Sequence, residues 1–469
     1  MFFLILVTSI SLWVSFVILN IVKKDQFLYF LMFLVYLAWH LPAILSIVLP
    51  FDYFAIKEQS FVIVLLFFCV IHLIQYAGAL AYLKSIKYLK NRQIIKWDFS
   101  SYPVKSTQNS SVLLLYVVLG YIACIFSFID KVSQGFLLSF DSIADNRAAV
   151  KEQLSEATAQ TTVYSFISNF FSGFIYYLLF FSFENKNGII KIKWIYIFPF
   201  LIYSVLIFIL GHKSYILPGL IIIFIKYIYE NKITFKKTII YFLIISFITI
   251  SIAVSQELLR VKSYDVISPQ KLFSENIGLE INYNHPLAEL IDNSPTIVYL
   301  PLAMLYLYYG VEYDMLYVNI TSFDEPIIPL GAWTVPLLYR RYQSIFDLPD
   351  LKGIEDLRET IHGNIHKSYN VFPRVWGTMF LPLYLEGGFL LILIVVIITI
   401  YLNFYLVKKY VLNFPKNSVI NLIIFNVILI YGVMVFPFSS TSLLTLVIAA
   451  GMLPYIRPLA KIFSAIIKG

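Results

Sequence analysis

Apolar runs alternate with short polar segments along almost the whole chain, at about 2–21, 27–49, 60–83, 111–129, 161–182, 194–211, 215–229, 238–256, 379–406, 418–436 and 441–456. Most of them approach or exceed the ~20 residues that cross a bilayer core as a helix. The pattern predicts an all-α polytopic membrane protein with about eleven spans, eleven to twelve if one doubtful segment is added. One stretch breaks the alternation: residues 257–378 are long and polar. The chain therefore divides into N-terminal spans over 1–256, a large polar segment with short helices over 257–378, and C-terminal spans over 379–469.

Charge orders these spans. Lys23/Lys24, Lys84/Lys87/Lys90/Arg92/Lys96, Lys186/Lys191/Lys193, Lys232/Lys236/Lys237, Lys408/Lys409/Lys416 and Arg457/Lys461/Lys468 mark every second loop. The intervening loops 50–59, 130–160, 212–214, 257–378 and 437–440 are acidic, mixed or nearly uncharged. Basic loops stay in the cytoplasm, so the N-terminus is expected outside, the C-terminus inside, and 257–378 outside. Residues 1–20 lack a basic start and are followed by Lys23-Lys24, the pattern of a retained first helix rather than a cleaved signal. Ser294–Gly310 is apolar but short and interrupted by Pro301. It reads as a re-entrant or interfacial piece, which protein or a water-filled cavity must cover at membrane depth.

Composition agrees: 60% hydrophobic and 13% charged residues, with a mean hydropathy of +0.81, lie far from the soluble average. The net charge of +8 is spread through the loops rather than gathered in a patch, so nucleic acid is not an expected partner. Cys69 and Cys124 sit inside apolar runs and read as small hydrophobes. No G-x-x-x-x-G-K-[ST] loop occurs, which argues against ATP-driven transport by this chain alone.

The candidate chemistry lies in the outer segments. Arg147, in the 130–160 loop, has no acidic residue three or four positions away, so it is either a solvated charge or a phosphate ligand. Lys213 stands in the tight turn Gly211-His212-Lys213-Ser214 and either snorkels to the interface or points a cation into the outer cavity. Arg260 follows Glu257 by one helical turn and has a simple ion-pair reading. Arg340 and Arg341 are adjacent, and arginine suits multidentate phosphate recognition.

The stretch 347–363 carries Leu351, Ile354, Leu357 and Ile361 at helical spacing and predicts a helix lying flat on the membrane. Arg358 and His362 share one face of it, joined by His366 if the helix continues. His362-x-x-x-His366 has zinc-ligand spacing, but glycine follows the first histidine and no third ligand is near; no metal or other cofactor is expected. A histidine beside arginine can exchange a proton near neutral pH. His40 and His285 read as structural. Trp333, Tyr339, Tyr342 and Trp376 either stack on sugars or line a core. Arg374-Val-Trp376-Gly377 and Tyr384-Leu385-Glu386-Gly387-Gly388 close the outer segment.

In layout the chain resembles the oligosaccharide repeat-unit polymerases, the Wzy-type O-antigen and capsule polymerases of bacteria. The resemblance rests on many spans, one dominant outer loop late in the chain, the Gly211–Ser214 turn opening a span, Arg260 after the span before the loop, and Tyr384–Gly388 opening the next. Lys213 stands where the family often has arginine. The resemblance implies a metal-independent membrane glycosyltransferase of GT-C-like fold in the bacterial inner membrane. Its substrates would be undecaprenyl-diphosphate-linked oligosaccharides, with membrane lipid around it and a chain-length regulator as a further partner. Arg260, with Lys213, Arg340, Arg341 and Arg374, would stabilise the diphosphate leaving group. Arg147, Arg358 and His366 would add contacts to diphosphate or glycan, and His362 or Glu386 would serve as base or acceptor-orienting group. Two rival readings share parts of this layout: an O-antigen ligase, and a lipid-linked oligosaccharide flippase. The scarcity of charge inside the spans disfavours the flippase.

Overall fold

The computed structural model describes residues 2–52, 61–91, 110–136, 163–186, 189–209, 216–231, 279–310, 312–322, 330–332, 378–413, 416–433 and 443–452, with positions 237, 240, 328, 334 and 339. They are mostly helical. In chain order the helices are α1 (Phe2–Val22), α2 (Gln26–Val48), α3 (Phe61–Asn91), α4 (Ser110–Ser133), α5 (Val163–Leu178), α6 (Trp194–Ile209), α7 (Ile216–Asn231), α8 (Ala288–Asp292), α9 (Thr296–Leu305), α10 (Glu312–Ser322), α11 (Phe380–Asn413) and α12 (Lys416–Tyr431), then α13 (Leu443–Met452). Among the described residues, six stretches are long and apolar enough to cross a membrane: Phe2–Val22, Gln26–Val48, Phe61–Asn91, Val112–Ser133, Val163–Phe181 and Phe380–Leu412. Trp194–Ile209, Val419–Tyr431 and Leu443–Met452 are shorter apolar helices. The expected span at 238–256 lies outside the described residues except for position 240.

The chain forms two compact units. The first takes in residues 1–95, 264–414 and 428–439. Here α1 packs on α2 and α3, and α11 runs along α3. Helix α1 buries Thr8, Ser11 and Ser15 together with Leu4, Ile18, Leu19 and Val22, and exposes Phe3, Ile10, Trp13 and Phe16. An apolar exposed face is what a lipid-facing helix requires, because lipid solvates it while the few polar groups find partners only within the bundle. Asn403 of α11 donates from Nδ2 to the Ile74 carbonyl at 2.7 Å. Gly78 makes room for it, since a Cβ there would meet Asn403 Nδ2 at 2.8 Å. Trp39 Nε1 donates to the Leu429 carbonyl at 3.0 Å.

The polar segment is stitched to the end of α2. Strand β1 (Phe51–Asp52) pairs antiparallel with the later two-residue strand Glu280–Ile281, Phe51 opposite Ile281. Asn282 N–H bonds the Pro50 carbonyl at 2.7 Å, and His285 Nε2 lies 3.2 Å from the Ile47 carbonyl, consistent with a structural histidine. The short apolar piece Ser294–Gly310 holds α9, with Pro301 inside it, and then a π-helical turn over Tyr306–Gly310. Phe51 packs its ring against Tyr299 and Tyr306. This piece is not among the six long helices.

The second unit covers residues 96–263, 415–427 and 440–469. Helix α5 lies against α4, and the basic stretch after it is a hairpin of β2 (Phe183–Lys186) with β3 (Ile189–Ile192). The strand Glu280–Ile281 is thus β4. Gly173 lets α5 touch the backbone of Thr445, where a Cβ would sit 2.1 Å from the Thr445 carbonyl carbon. Ser172 and Thr445 hydroxyls hydrogen-bond at 3.1 Å beside that contact. Tyr116 donates to the Ala449 carbonyl at 3.1 Å, and Lys226 pairs with Glu230 inside the unit.

Candidate functional site

Of the residues given a catalytic or substrate-binding role above, Glu386 is the one the structure describes. Arg147, Lys213, Arg260, Arg340, Arg341, Arg358, His362, His366 and Arg374 lie outside the described residues. Among the described residues no group of three or more His, Cys, Asp or Glu side chains is placed to hold a metal ion.

Glu386 belongs to the first unit, near the start of α11, where the helix is broken. Gly388 has φ 62° and ψ −159° within α11, a backbone conformation open essentially to glycine alone. Residues 380–387 thus form a short helical piece ahead of the long lipid-facing run. Its start is fixed by three bonds. Phe380 N–H donates to Thr378 Oγ1 at 3.3 Å, Met379 N–H donates to the Gly432 carbonyl at 2.8 Å, and Leu381 N–H donates to the Thr378 carbonyl at 3.0 Å. Trp39, Phe67, Tyr313 and Phe380 stack around it, Phe67 lying 4.8 Å from Phe380 and 5.1 Å from Tyr313 by ring centroids.

A carboxylate in such apolar surroundings needs donors, and the polar segment supplies them. Thr334 N–H donates to Oε1 at 2.8 Å. Gly331 N–H donates to Oε2 at 2.9 Å, and Thr334 Oγ1 donates to the same oxygen at 2.7 Å. Gly331 has φ 92°, which turns the chain so that two backbone N–H groups converge on one side chain. A fourth bond, Ile328 N–H to the Leu385 carbonyl at 3.0 Å, fastens the turn to the same short helix. Tyr384 OH adds a bond to the Ile320 carbonyl at the end of α10, at 3.3 Å. Glu386 is 6% exposed. Its oxygens accept these three bonds, so the geometry suits a group that holds the turn.

The sequence reading found Glu386 by its place before two glycines, but missed Gly331 and Thr334. Their signal is faint: a glycine followed three residues later by a threonine, 52 residues from the carboxylate that Thr334 binds. Compared with protein-family models, curated proteins and solved structures, the chain matches none.

Proposed function

We propose that the chain is a membrane glycosyltransferase, an oligosaccharide repeat-unit polymerase with about eleven spans and a GT-C-like architecture. It would act on the outer face of a bacterial plasma membrane, with its N-terminus outside and its C-terminus in the cytoplasm. The observation that carries this reading is the Glu386 clamp: a buried carboxylate at a broken span gathers the polar outer segment against the membrane helices. A segment held so close to the bilayer suits a substrate whose reactive bond lies just above it, as in a sugar linked to undecaprenyl diphosphate.

In this reading the donor carries its own leaving group, a lipid diphosphate. Arg260, with Lys213, Arg340, Arg341 and Arg374, neutralises the charge that develops on it. Arg147, Arg358 and His366 add contacts to the diphosphate or glycan. His362 takes the proton from the acceptor hydroxyl. Glu386 acts through the turn it holds and positions the outer segment.

The direct test is reconstitution of the chain in lipid vesicles with undecaprenyl-diphosphate-linked repeat units. A ladder of longer lipid-linked glycans is expected, lost in Arg260→Ala and in His362→Ala at unchanged protein level. Transfer that needs added lipid A core would identify a ligase instead. Absence of any transfer by the folded wild-type chain would contradict the proposal.

A further inference from the structure

The first unit holds a second polar centre, inside the membrane helices and apart from Glu386. Ser11 falls at the middle of the 21-residue α1, ~15 Å from either end at 1.5 Å per residue and hence at the midplane of a ~30 Å core. Its Oγ lies 2.8 Å from His40 Nε2 and 2.8 Å from His72 Nε2, so α1, α2 and α3 meet at one hydroxyl. His40 Nδ1 is 2.7 Å from the Tyr36 carbonyl, and His72 Nδ1 is 3.4 Å from the Tyr36 hydroxyl. His40 also stacks on Phe68 with centroids 4.5 Å apart.

The partners assign the tautomers of the neutral pair. A carbonyl only accepts, so His40 carries its proton on Nδ1 and accepts at Nε2 from the Ser11 hydroxyl. Ser11 has then spent its only proton, so His72 must donate from Nε2. His72 Nδ1 is left as an acceptor for the Tyr36 hydroxyl. Every bond in the chain thus runs one way, from Tyr36 OH through His72 and Ser11 to His40 and the Tyr36 carbonyl.

We propose that Tyr36, His72, Ser11 and His40 form an intramembrane proton-binding relay, which takes up one proton at the Tyr36–His72 end and stores it on His40. The proton count closes. The incoming proton arrives at His72 Nδ1, directly or by replacing the one Tyr36 passes on. His72 Nε2 gives its proton to Ser11 Oγ, and Ser11 gives its own to His40 Nε2. The product is an imidazolium at His40 with both N–H groups bonded, to the Tyr36 carbonyl and to Ser11. No heavy atom has to move, because the Tyr36–His72, His72–Ser11 and Ser11–His40 bonds keep their atoms and reverse direction, while the His40 Nδ1–H bond to the Tyr36 carbonyl stays as it was.

Two neighbours point to a route for the proton. Gln75 lies one turn beyond His72 on α3, is 1% exposed, and has neither amide atom bonded. Thr8 lies one turn before Ser11 on α1, 3% exposed, with its hydroxyl unbonded. Buried polar groups of this kind are where water or a transferred proton finds partners. The titratable groups facing the histidine pair are Tyr36 from α2 itself and, across the Phe68 ring, Tyr313 of α10. Ionisable side chains at membrane depth commonly mark proton pathways.

The test is solid-state NMR of the full-length chain in lipid vesicles, labelled with 15N-histidine, between pH 9 and pH 4. Six histidines are present, and His40→Gln and His72→Gln assign the two signals. At high pH the relay requires the Nδ1–H tautomer for His40 and the Nε2–H tautomer for His72. On acidification His40 should become imidazolium and His72 should switch tautomer at one shared midpoint, as coupled sites do. Ser11→Ala should leave His72 in its original tautomer while His40 protonates. If both histidines keep their high-pH tautomers down to pH 4, or if the joint switch survives Ser11→Ala, the relay is refuted and the cluster is a structural tie. The wild-type tautomers decide the question even if Ser11→Ala fails to fold.

Discussion

A single carboxylate ties the polar segment to the start of α11, so Glu386 is where substitution says most. Glu386→Gln replaces one acceptor oxygen by a donor. Since both oxygens face donors, at least one N–H must then oppose another donor. The expected loss is about 1–3 kcal/mol, read as a lower unfolding midpoint in detergent. Thr334→Val removes one donor to a charged group and should cost about 1–2 kcal/mol; an unchanged midpoint in both variants would mean that the turn is held by other contacts. Asp25, in the turn between α1 and α2, gives a pH test. Its Oδ1 caps α2 by accepting from Leu28 N–H, while burial pushes its carboxyl up to about 6. The folded chain therefore binds that proton more tightly than the unfolded one, and stability falls as pH rises from about 4 through 6. Asp25→Asn keeps the cap without the charge, so it should exceed wild type at pH 8 by at most about 3 kcal/mol and match it near pH 4. A wild type that gains stability over this interval would reverse the argument. Glu386 was legible in the sequence because a lone acid opening an apolar run is conspicuous. Its donors were not, since a backbone N–H carries no sequence signature.

At the scale of elements, two glycines decide how helices break and meet. Gly388→Ala forces a side chain into a backbone conformation that essentially only glycine adopts, at a cost of about 1–3 kcal/mol. It should straighten α11 and draw Glu386 away from Thr334. Gly173→Ala should separate α5 from α13, because its Cβ would strike the Thr445 backbone, whereas Gly451→Ala, with nothing within 4 Å, should be neutral. Thermal unfolding of the three variants side by side checks both, and equal midpoints would sink the packing argument. The sequence shows why such contacts escape a reading by hydropathy: Gly173 sits in an apolar run like any other residue, and what it touches is 272 positions away by number, at Thr445. The contact that His40 and His72 share at Ser11 escapes such a reading for the same reason. A histidine inside an apolar run looks like core until α1 brings Ser11 between the two.

For the whole molecule, hydropathy alone located all six long apolar helices, because a lipid-crossing helix is written locally as length and apolarity. The shorter helices α6, α12 and α13 fall within expected spans, but their described lengths are below the ~20 residues of a full crossing. The basic stretch at 183–193 is a hairpin rather than a plain loop, since Ile189, Ile190 and Ile192 between lysines favour a strand. The chemistry proposed for the polar segment rests on sequence for all but Glu386. The most direct measurement is a gel of the surface glycan from the host after deletion of this chain, with and without the wild-type copy restored. The account predicts collapse of the ladder to a single capped repeat, and return of the ladder with the restored chain. Long chains left on the carrier lipid, or a ladder unchanged by the deletion, would contradict it.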